Sequence, residues 1–341
     1  MIVLRRGGFS ARVRVRGAAV GLLAGVVAAA VALGGVAVGQ YPMSLATVLG
    51  ALAGHGTVVT YDIVVLDRLP RAVAGLLVGA AFGVAGAVLQ RTARNPLVSP
   101  DVIGINAGAS AGAVLVILGG GSALGVTGGA LLGAASAAVA VYALAHRRGF
   151  SGHRLVLVGL GIAAMLGAAA TFMLGRADVN AAYRAAVWLV GSLSGRGWTD
   201  LVPVAVALGL LLPVALVLSR HLALLELGDD LARALSPRIA RARATLLACA
   251  VGLSAFATAA GGPIGFVALV APQIVRRLLG GRSPGLLGSA AVGALTVVAT
   301  DLVARTAFTP RELPVGVLTA LVGAPVLIAL LVRAHRVGLS G

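Results

Sequence analysis

The chain has 341 residues, of which 59% are hydrophobic and only 11% are charged. Soluble domains carry roughly 25% charged residues, so this composition excludes an ordinary soluble protein. The net charge is +17, but the 27 basic residues lie scattered between apolar runs, which argues against a nucleic-acid-binding face.

Every basic residue is an arginine, and the absence of lysine excludes two kinds of chemistry. A Walker A phosphate loop and a Schiff-base enzyme both require a lysine. We therefore expect no ATP hydrolysis by this chain and no bound cofactor. The histidines show no metal-ligand spacing, so no metal site is predicted; they are His55, His146, His153, His221 and His335.

Repeated apolar runs of about 20 residues, the length that crosses a bilayer core, predict an all-α polytopic membrane protein. We treat residues 1–341 as one transmembrane domain that begins with a basic segment, 1–16. The eighth run opens on GGPIG, so we expect a broken or re-entrant helix there. Ten spans can be drawn, at about 17–38, 69–89, 99–118, 124–145, 154–174, 200–219, 240–260, 264–279, 285–304 and 314–332.

The distribution of arginines predicts the orientation of these spans. With the N-terminus inside, 20 of the 27 arginines fall in cytoplasmic segments, as the positive-inside rule expects. Both termini are then cytoplasmic. The outer side keeps seven arginines, namely Arg68, Arg71, Arg176, Arg184, Arg196, Arg305 and Arg311.

The stretch RLPRAVAGLLVGAAFGVAGAVLQRTARNPLVSP begins with Arg68 and Arg71 around a proline that suits the first turn of a helix. Asn95 and Pro96 end that helix, and Pro100 lies where the next span begins. Small residues spaced by three or four positions predict a face for close helix packing; they are Gly75, Gly79, Gly83 and Gly86.

The stretch LLELGDDLARALSP, residues 224–237, places three acids within five residues of a chain that has ten acids in total. It lies in the longest predicted cytoplasmic connection, 220–239. We predict a short helix with an apolar stripe for a partner's groove, because acids at its start do not suit an anionic lipid surface. The residues concerned are Gly228, Asp229, Asp230, Leu231, Arg233, Leu235 and Ser236, with Leu227 also on the stripe.

Three long blocks resemble, in order and separation, the permease subunits of ABC importers for ferric siderophores, haem and vitamin B12 (FecCD-type permeases). The first is the stretch 68–100 above. The second is GGPIGFVALVAPQIVRRLLG, 261–280, and the third is TDLVARTAFTPRELPVGVLTALVGAPVLIALL, 300–331. One departure is Gln273, where the family commonly has a histidine. The second block supplies further motif residues, namely Gly262, Pro263, Gly265 and Pro272.

The resemblance implies a type II ABC importer permease in a bacterial cytoplasmic membrane. It implies a second permease, two cytoplasmic ATPase subunits that hold ATP and Mg²⁺, and an external binding protein. It gives the 220–239 loop an ATPase-coupling role. It implies that Arg68, Arg71 and Arg305 contact the binding protein, with Arg311 as a further candidate. Path-lining candidates, which ordinary packing explains equally well, are Met165, Met173, Trp188 and Ser192.

The function that these expectations favour is import of an iron chelate, most simply a ferric siderophore. Haem or cobalamin is the alternative within the family. A secondary transporter that works without an ATPase would need intramembrane acids, and Asp301 is the main one available. A membrane enzyme would need clustered histidines or carboxylates, which the sequence does not show.

Overall fold

The computed structural model describes residues 2–6, 9–13, 15–39, 41–146, 152–307 and 312–338. Within these ranges the chain is helical apart from one hairpin of two antiparallel strands, β1 (Ile2–Arg6) and β2 (Phe9–Val13). The basic N-terminal segment was not predicted to contain strands. The prediction of an all-α membrane architecture is otherwise confirmed.

The first half of the described chain contains eight α-helices and a π-helix, Asp62–Arg68, that runs into α4. The α-helices are α1 (Val15–Ala37), α2 (Leu45–Leu52), α3 (Val58–Tyr61), α4 (Leu69–Ala93), α5 (Ile105–Leu118), α6 (Ala123–His146), α7 (Gly152–Arg176) and α8 (Val179–Val190).

The second half begins with α9, which two short helices connect to α12. The α-helices are α9 (Trp198–Val217), α10 (Ser219–Glu226), α11 (Asp229–Leu235), α12 (Ile239–Gly261), α13 (Val267–Leu278), α14 (Leu286–Thr306) and α15 (Val315–Gly338).

A helix corresponds to each of the ten predicted spans, but the described helices do not all have the length of a span. Seven are long and apolar enough to cross a membrane, among them the continuous helix Val58–Ala93. The apolar helices Ile105–Leu118 and Val315–Ala329 are shorter. Helix α13 has only 12 residues. The all-helical architecture is therefore established, whereas the exact number of membrane spans is not.

Helix α4 is the centre of the bundle and packs against α12, α13 and α14. A Cβ atom at Gly79, Gly83 or Gly86 would collide with a backbone carbonyl of a neighbouring helix. These glycines therefore allow direct backbone contact, as the sequence predicts. At Gly75 an added Cβ would meet only side chains, the nearest at 3.4 Å, so this position is less tightly packed.

The connection after α4 explains why α5 begins later than the predicted start at residue 99. Arg94 is left-handed, with φ of 53°, and the Asn95 side chain accepts a hydrogen bond from the Leu97 N–H at 2.9 Å. Pro96 and Pro100 supply no backbone donors. The chain turns until Gly104, at φ of 82°, before α5 can start.

The predicted break in the eighth span is present between α12 and α13. Gly262 ends α12 at φ of 75°, in a position where a Cβ would meet the backbone of Gly191. Phe266 then adopts φ of 66°, which is uncommon for a residue other than glycine. The Asp101 carboxylate accepts the Phe266 N–H at 3.2 Å, so the break is stabilised from the α4–α5 connection.

Candidate functional sites at the two ends of the bundle

Two arginines three residues apart lie at each end of helix α4, Arg68 and Arg71 where it begins and Arg91 and Arg94 where it ends. We call the end of the bundle where α4 begins the Arg71 end, and the opposite end the Arg91 end. The Trp198 indole N–H donates to the Val65 carbonyl at 2.9 Å, which places the start of α9 at the Arg71 end as well. The α10–α11 segment lies at the Arg91 end.

At the Arg71 end, three arginines and two acids form what we call the Arg71 cluster. The Arg71 guanidinium donates to Asp301 at 3.0 Å and to Glu312 at 2.7 Å. Asp301 also forms an ion pair with Arg305 at 3.1 Å. Arg68 donates instead to the backbone carbonyls of residues 36 and 41, at 2.9 and 2.8 Å. Three cations thus share two carboxylates and two carbonyls.

This geometry changes the interpretation of the predicted docking arginines. Arg68 and Arg71 are only 7% and 8% exposed, and the Arg305 side chain is 8% exposed. They are therefore not free charges at a rim, because each is packed against internal partners. Docking by these arginines stays a prediction. Arg311 lies outside the described residues.

At the Arg91 end, the acidic segment is bound to the bundle by ion pairs. Glu226 accepts hydrogen bonds from Arg91 at 2.7 Å and from the Ser283 hydroxyl at 2.9 Å. Asp229 accepts from Arg243 at 2.6 Å, and Arg94 lies 3.6 Å from the same carboxylate. Glu226 and Asp229 therefore anchor the segment to α4 and α12, which the sequence did not predict.

Helix α11 presents the predicted apolar stripe. Gly228, at φ of 107°, precedes the helix, and Ser236 follows it in extended backbone. Leu227, Leu231 and Leu235 are 55%, 57% and 60% exposed. Asp230 and Arg233 are exposed as well. Asp229 binds to the bundle, whereas the three leucines are left uncovered by the described chain.

A cleft of about 200 Å³ lies beside this segment and joins it to α13. Gln90 and Gln273 line its inner wall and bond to each other through their amides. Gln273 also donates to the Pro96 carbonyl at 3.4 Å, and Gln90 donates to the Leu269 carbonyl at 3.1 Å. The departure at Gln273 therefore links α13 to the motif that ends α4, a contact that the sequence does not reveal.

The structure does not bring the predicted path residues together as one lining. Met165 lies exposed on α7, whereas Met173 packs against the group of buried residues around Val114 and Ala185. Trp188 packs against the same group and also lines a cavity, and the Ser192 hydroxyl accepts the Ser194 N–H at 3.1 Å. Their path-lining role stays a prediction. Within the described ranges, no group of histidine, cysteine and acidic residues could hold a metal ion.

Comparison with known proteins finds similarity over almost the whole chain. The model of the FecCD transport family matches residues 22–333. The ferric enterobactin transport system permease protein FepG of Escherichia coli (strain K12) is 42% identical over 299 residues, 87% of this chain and 91% of that protein. The achromobactin transport system permease protein CbrC of Dickeya dadantii (strain 3937) is 39% identical over 344 residues, 98% and 97%.

A solved structure shows the same architecture. It is an inward-facing conformation of a metal-chelate type ABC transporter, with a TM-score of 0.82 and 28% sequence identity. The match covers 93% of this chain and 99% of that chain. Since the family model spans most of the sequence and the relatives are transport subunits, the chain belongs to the FecCD transport family and is a membrane-embedded permease subunit of an ABC importer.

Proposed function

We propose that this permease imports an iron chelate, specifically a ferric siderophore. Two of its relatives are named for ferric enterobactin and achromobactin transport, which supports this substrate class. Uptake of ⁵⁵Fe-labelled siderophores, labelled haem and labelled cobalamin in a deletion strain with this gene restored would test the choice. Uptake of haem or cobalamin alone would overturn the siderophore assignment.

The orientation is part of the same proposal. The Arg71 end faces outward, toward an external binding protein, and the Arg91 end faces the cytoplasm, where the ATPase subunits bind. The 20-to-7 distribution of arginines supports this orientation, with both termini in the cytoplasm. A second permease, identical or related, completes the pair around the translocation path.

The single observation that carries the coupling role is the exposed leucine stripe of α11. The described chain leaves this apolar stripe uncovered. Arg243 holds Asp229 at the start of α11, and Arg91 holds Glu226 at the end of α10, so the stripe is presented from an anchored segment, as the groove of a protein partner requires. Rigid anchoring matters because a movement of the ATPase is transmitted only if the helix cannot move independently of α4 and α12. We therefore assign Leu231 and Leu235 as ATPase contacts.

Replacing Leu231 or Leu235 by Asp should uncouple ATP hydrolysis from transport. A carboxylate in an apolar groove loses its water without gaining a partner, so we expect uptake to fall about tenfold or more. The measurement is chelate uptake per ATP hydrolysed in proteoliposomes that contain the complete transporter. Leu124→Asp is the matched control, because Leu124 is 86% exposed and begins α6 at the opposite end. Normal coupling in both α11 variants would contradict the assignment.

We propose that the binding protein docks at the Arg71 cluster. Because the arginines of this cluster are buried, docking must displace one of their internal partners. Glu312 is its most exposed acid, with 36% of its side chain accessible. A carboxylate from the binding protein can reach Arg71 only by replacing Glu312, because Asp301 is buried between two arginines. Arg68 and Arg305 then contribute positive potential that attracts an acidic partner surface and fixes its register.

A further inference from the structure

A cavity of about 460 Å³ opens at the Arg71 end, outside the Arg71 cluster, and Trp188 is the one predicted path residue among its lining residues. It lies between the α5–α6 turn, helix α8 and the start of α9. Arg184 and Trp188 line it from successive turns of α8, where residues four apart share one face. Arg196 and Asp200 line it from the α8–α9 connection and from α9, and Gly120 and Gly121 border it without side chains.

Arg196 is the more buried of the two arginines that line this cavity. Its Nε atom is buried and has no hydrogen-bond partner. Burial lowers the pKa of Arg196, although the nearby charge of Asp200 acts in the opposite direction. The Asp200 carboxylate itself accepts the Gly197 N–H at 3.0 Å, so it is engaged with the backbone at the start of α9. A largely buried cation with so little compensation is costly unless something else pairs with it.

Other mostly buried arginines in the described ranges show what compensation looks like. Arg71, Arg91 and Arg243 each donate to a carboxylate, at 2.7, 2.7 and 2.6 Å. Arg68, which has no carboxylate, donates to two backbone carbonyls. Arg196 is also mostly buried, but it has no carboxylate or carbonyl acceptor among the described residues, and its side chain lines the cavity. The acceptor that it lacks can come from a molecule in the cavity.

The size and lining of the cavity indicate what that molecule is. A volume of about 460 Å³ falls within the roughly 300–1,000 Å³ typical of small-molecule sites. A lone phosphate would fill only a small part of it. Two arginines against one acid favour an anion, arginine matches carboxylates in a two-pronged geometry, and Trp188 supplies an apolar wall.

We propose that this cavity binds an anionic, carboxylate-bearing iron chelate, with Arg196 and Arg184 contacting the carboxylates and Trp188 packing against the ligand. The inference rests on the proposed function and adds to it a binding site on the permease itself. On the proposed orientation the cavity faces the side from which the binding protein delivers its load. The permease would then hold the chelate at its surface, between release and translocation.

Fluorescence of Trp188 provides a direct test, because the chain has two tryptophans and Trp198→Phe leaves only this one. The full chain in lipid nanodiscs is titrated with ferric citrate, iron-free citrate and inorganic phosphate. We expect saturable quenching by ferric citrate, with phosphate at least tenfold weaker. Phosphate binding as tight as that of ferric citrate, or no saturable quenching at all, would overturn the proposal.

Arg196→Gln should weaken ferric citrate binding about tenfold or more, since a hydrogen bond to a charged group is lost. The variant should unfold no earlier than the parent on heating, because an uncompensated buried charge has been removed. Arg184→Gln, at an exposed position, should weaken binding about threefold to tenfold. Arg176→Gln is the matched control, because Arg176 lies on α7 over the Phe172 ring and does not line the cavity. Equal binding by Arg196→Gln and Arg176→Gln would overturn the role of Arg196.

The outcome is separable from that of the proposed function. If the complete transporter takes up ferric chelates but Trp188 is not quenched, the cavity proposal fails alone. If ferric citrate binds through Arg196 but no iron chelate is transported, the import assignment fails and the site remains.

Discussion

The two ends of helix α4 have the same arrangement of two arginines, but the acids that these arginines bind differ in burial. Each end has two arginines three residues apart, and each pair meets acids that come from distant parts of the chain. At the Arg71 end the central acid, Asp301, is buried between Arg71 and Arg305. At the Arg91 end the side chains of Glu226 and Asp229 are 27% and 20% exposed, and they anchor a segment whose leucines point away from the bundle.

This difference shows that a pattern of charges in the sequence does not by itself distinguish a docking surface from a buried ion pair that stabilises the bundle. Burial decides, because an ion pair removed from water depends strongly on both of its members, whereas an exposed pair is weakened by solvent and salt. Asp301 therefore acts mainly on the stability of the bundle. Glu226 and Asp229 act mainly on the position of α11, and Glu312 lies between these cases.

The largest effect is expected for Asp301→Asn. The substitution keeps the side-chain volume but leaves Arg71 and Arg305 without their shared counter-charge, which should cost about 3–5 kcal/mol of folding free energy. Thermal unfolding of the purified permease, followed by size-exclusion chromatography, measures this loss. Asp62→Asn is the control, since Asp62 is exposed and should change stability by less than about 0.5 kcal/mol. Equal unfolding temperatures for the two variants would show that the buried ion pairs of Asp301 do not stabilise the bundle.

An intermediate effect is expected for Asp229→Asn at the other end. Arg243, whose side chain is 12% exposed, loses a charged hydrogen bond, which should cost about 1–2 kcal/mol. Because α11 is then held less firmly, uptake per ATP hydrolysed should fall more than stability does. Asp230→Asn provides a control in the same helical turn, because Asp230 is exposed. If both variants behave alike, the ion pair does not position the coupling helix.

The smallest effect on stability is expected for Glu312→Gln, less than about 1 kcal/mol, because more than a third of this side chain is in contact with solvent. Its effect on docking should have the opposite sign. Without its internal competitor, Arg71 should bind the acidic surface of the binding protein more tightly, and the gain should shrink at high salt. Titration of the binding protein against both forms in nanodiscs measures this. Weaker binding by the variant would show that Glu312 belongs to the docking surface and is not a competitor.

Local signals predicted much of this arrangement. Apolar runs separated by arginines located a helix for every span, and GGPIG predicted the break that Gly262 and Phe266 form. The spacing of Gly79, Gly83 and Gly86 predicted their close backbone contacts. The leucine period predicted the exposed stripe of α11. These features depend on residues within one helix or one turn, which a linear sequence displays directly.

Contacts between distant residues could not be predicted in this way. Arg71 and Asp301 are 230 positions apart, and Gln90 and Gln273 are 183 apart. The residues around one member of each pair give no indication of the other member. The hairpin β1–β2 also escaped prediction, because strand pairing depends on what lies nearby in space.

The sequence by itself determined the membrane class and the helical architecture, because composition and span length follow from the residues alone. Only the tertiary structure decided which charges are partnered. It buried the Arg71 cluster, bound Glu226 and Asp229 to the bundle, and left Arg196 without an acceptor beside a cavity. The physical reason is that the cost of a buried charge is set by its neighbours in space, and these come from other helices.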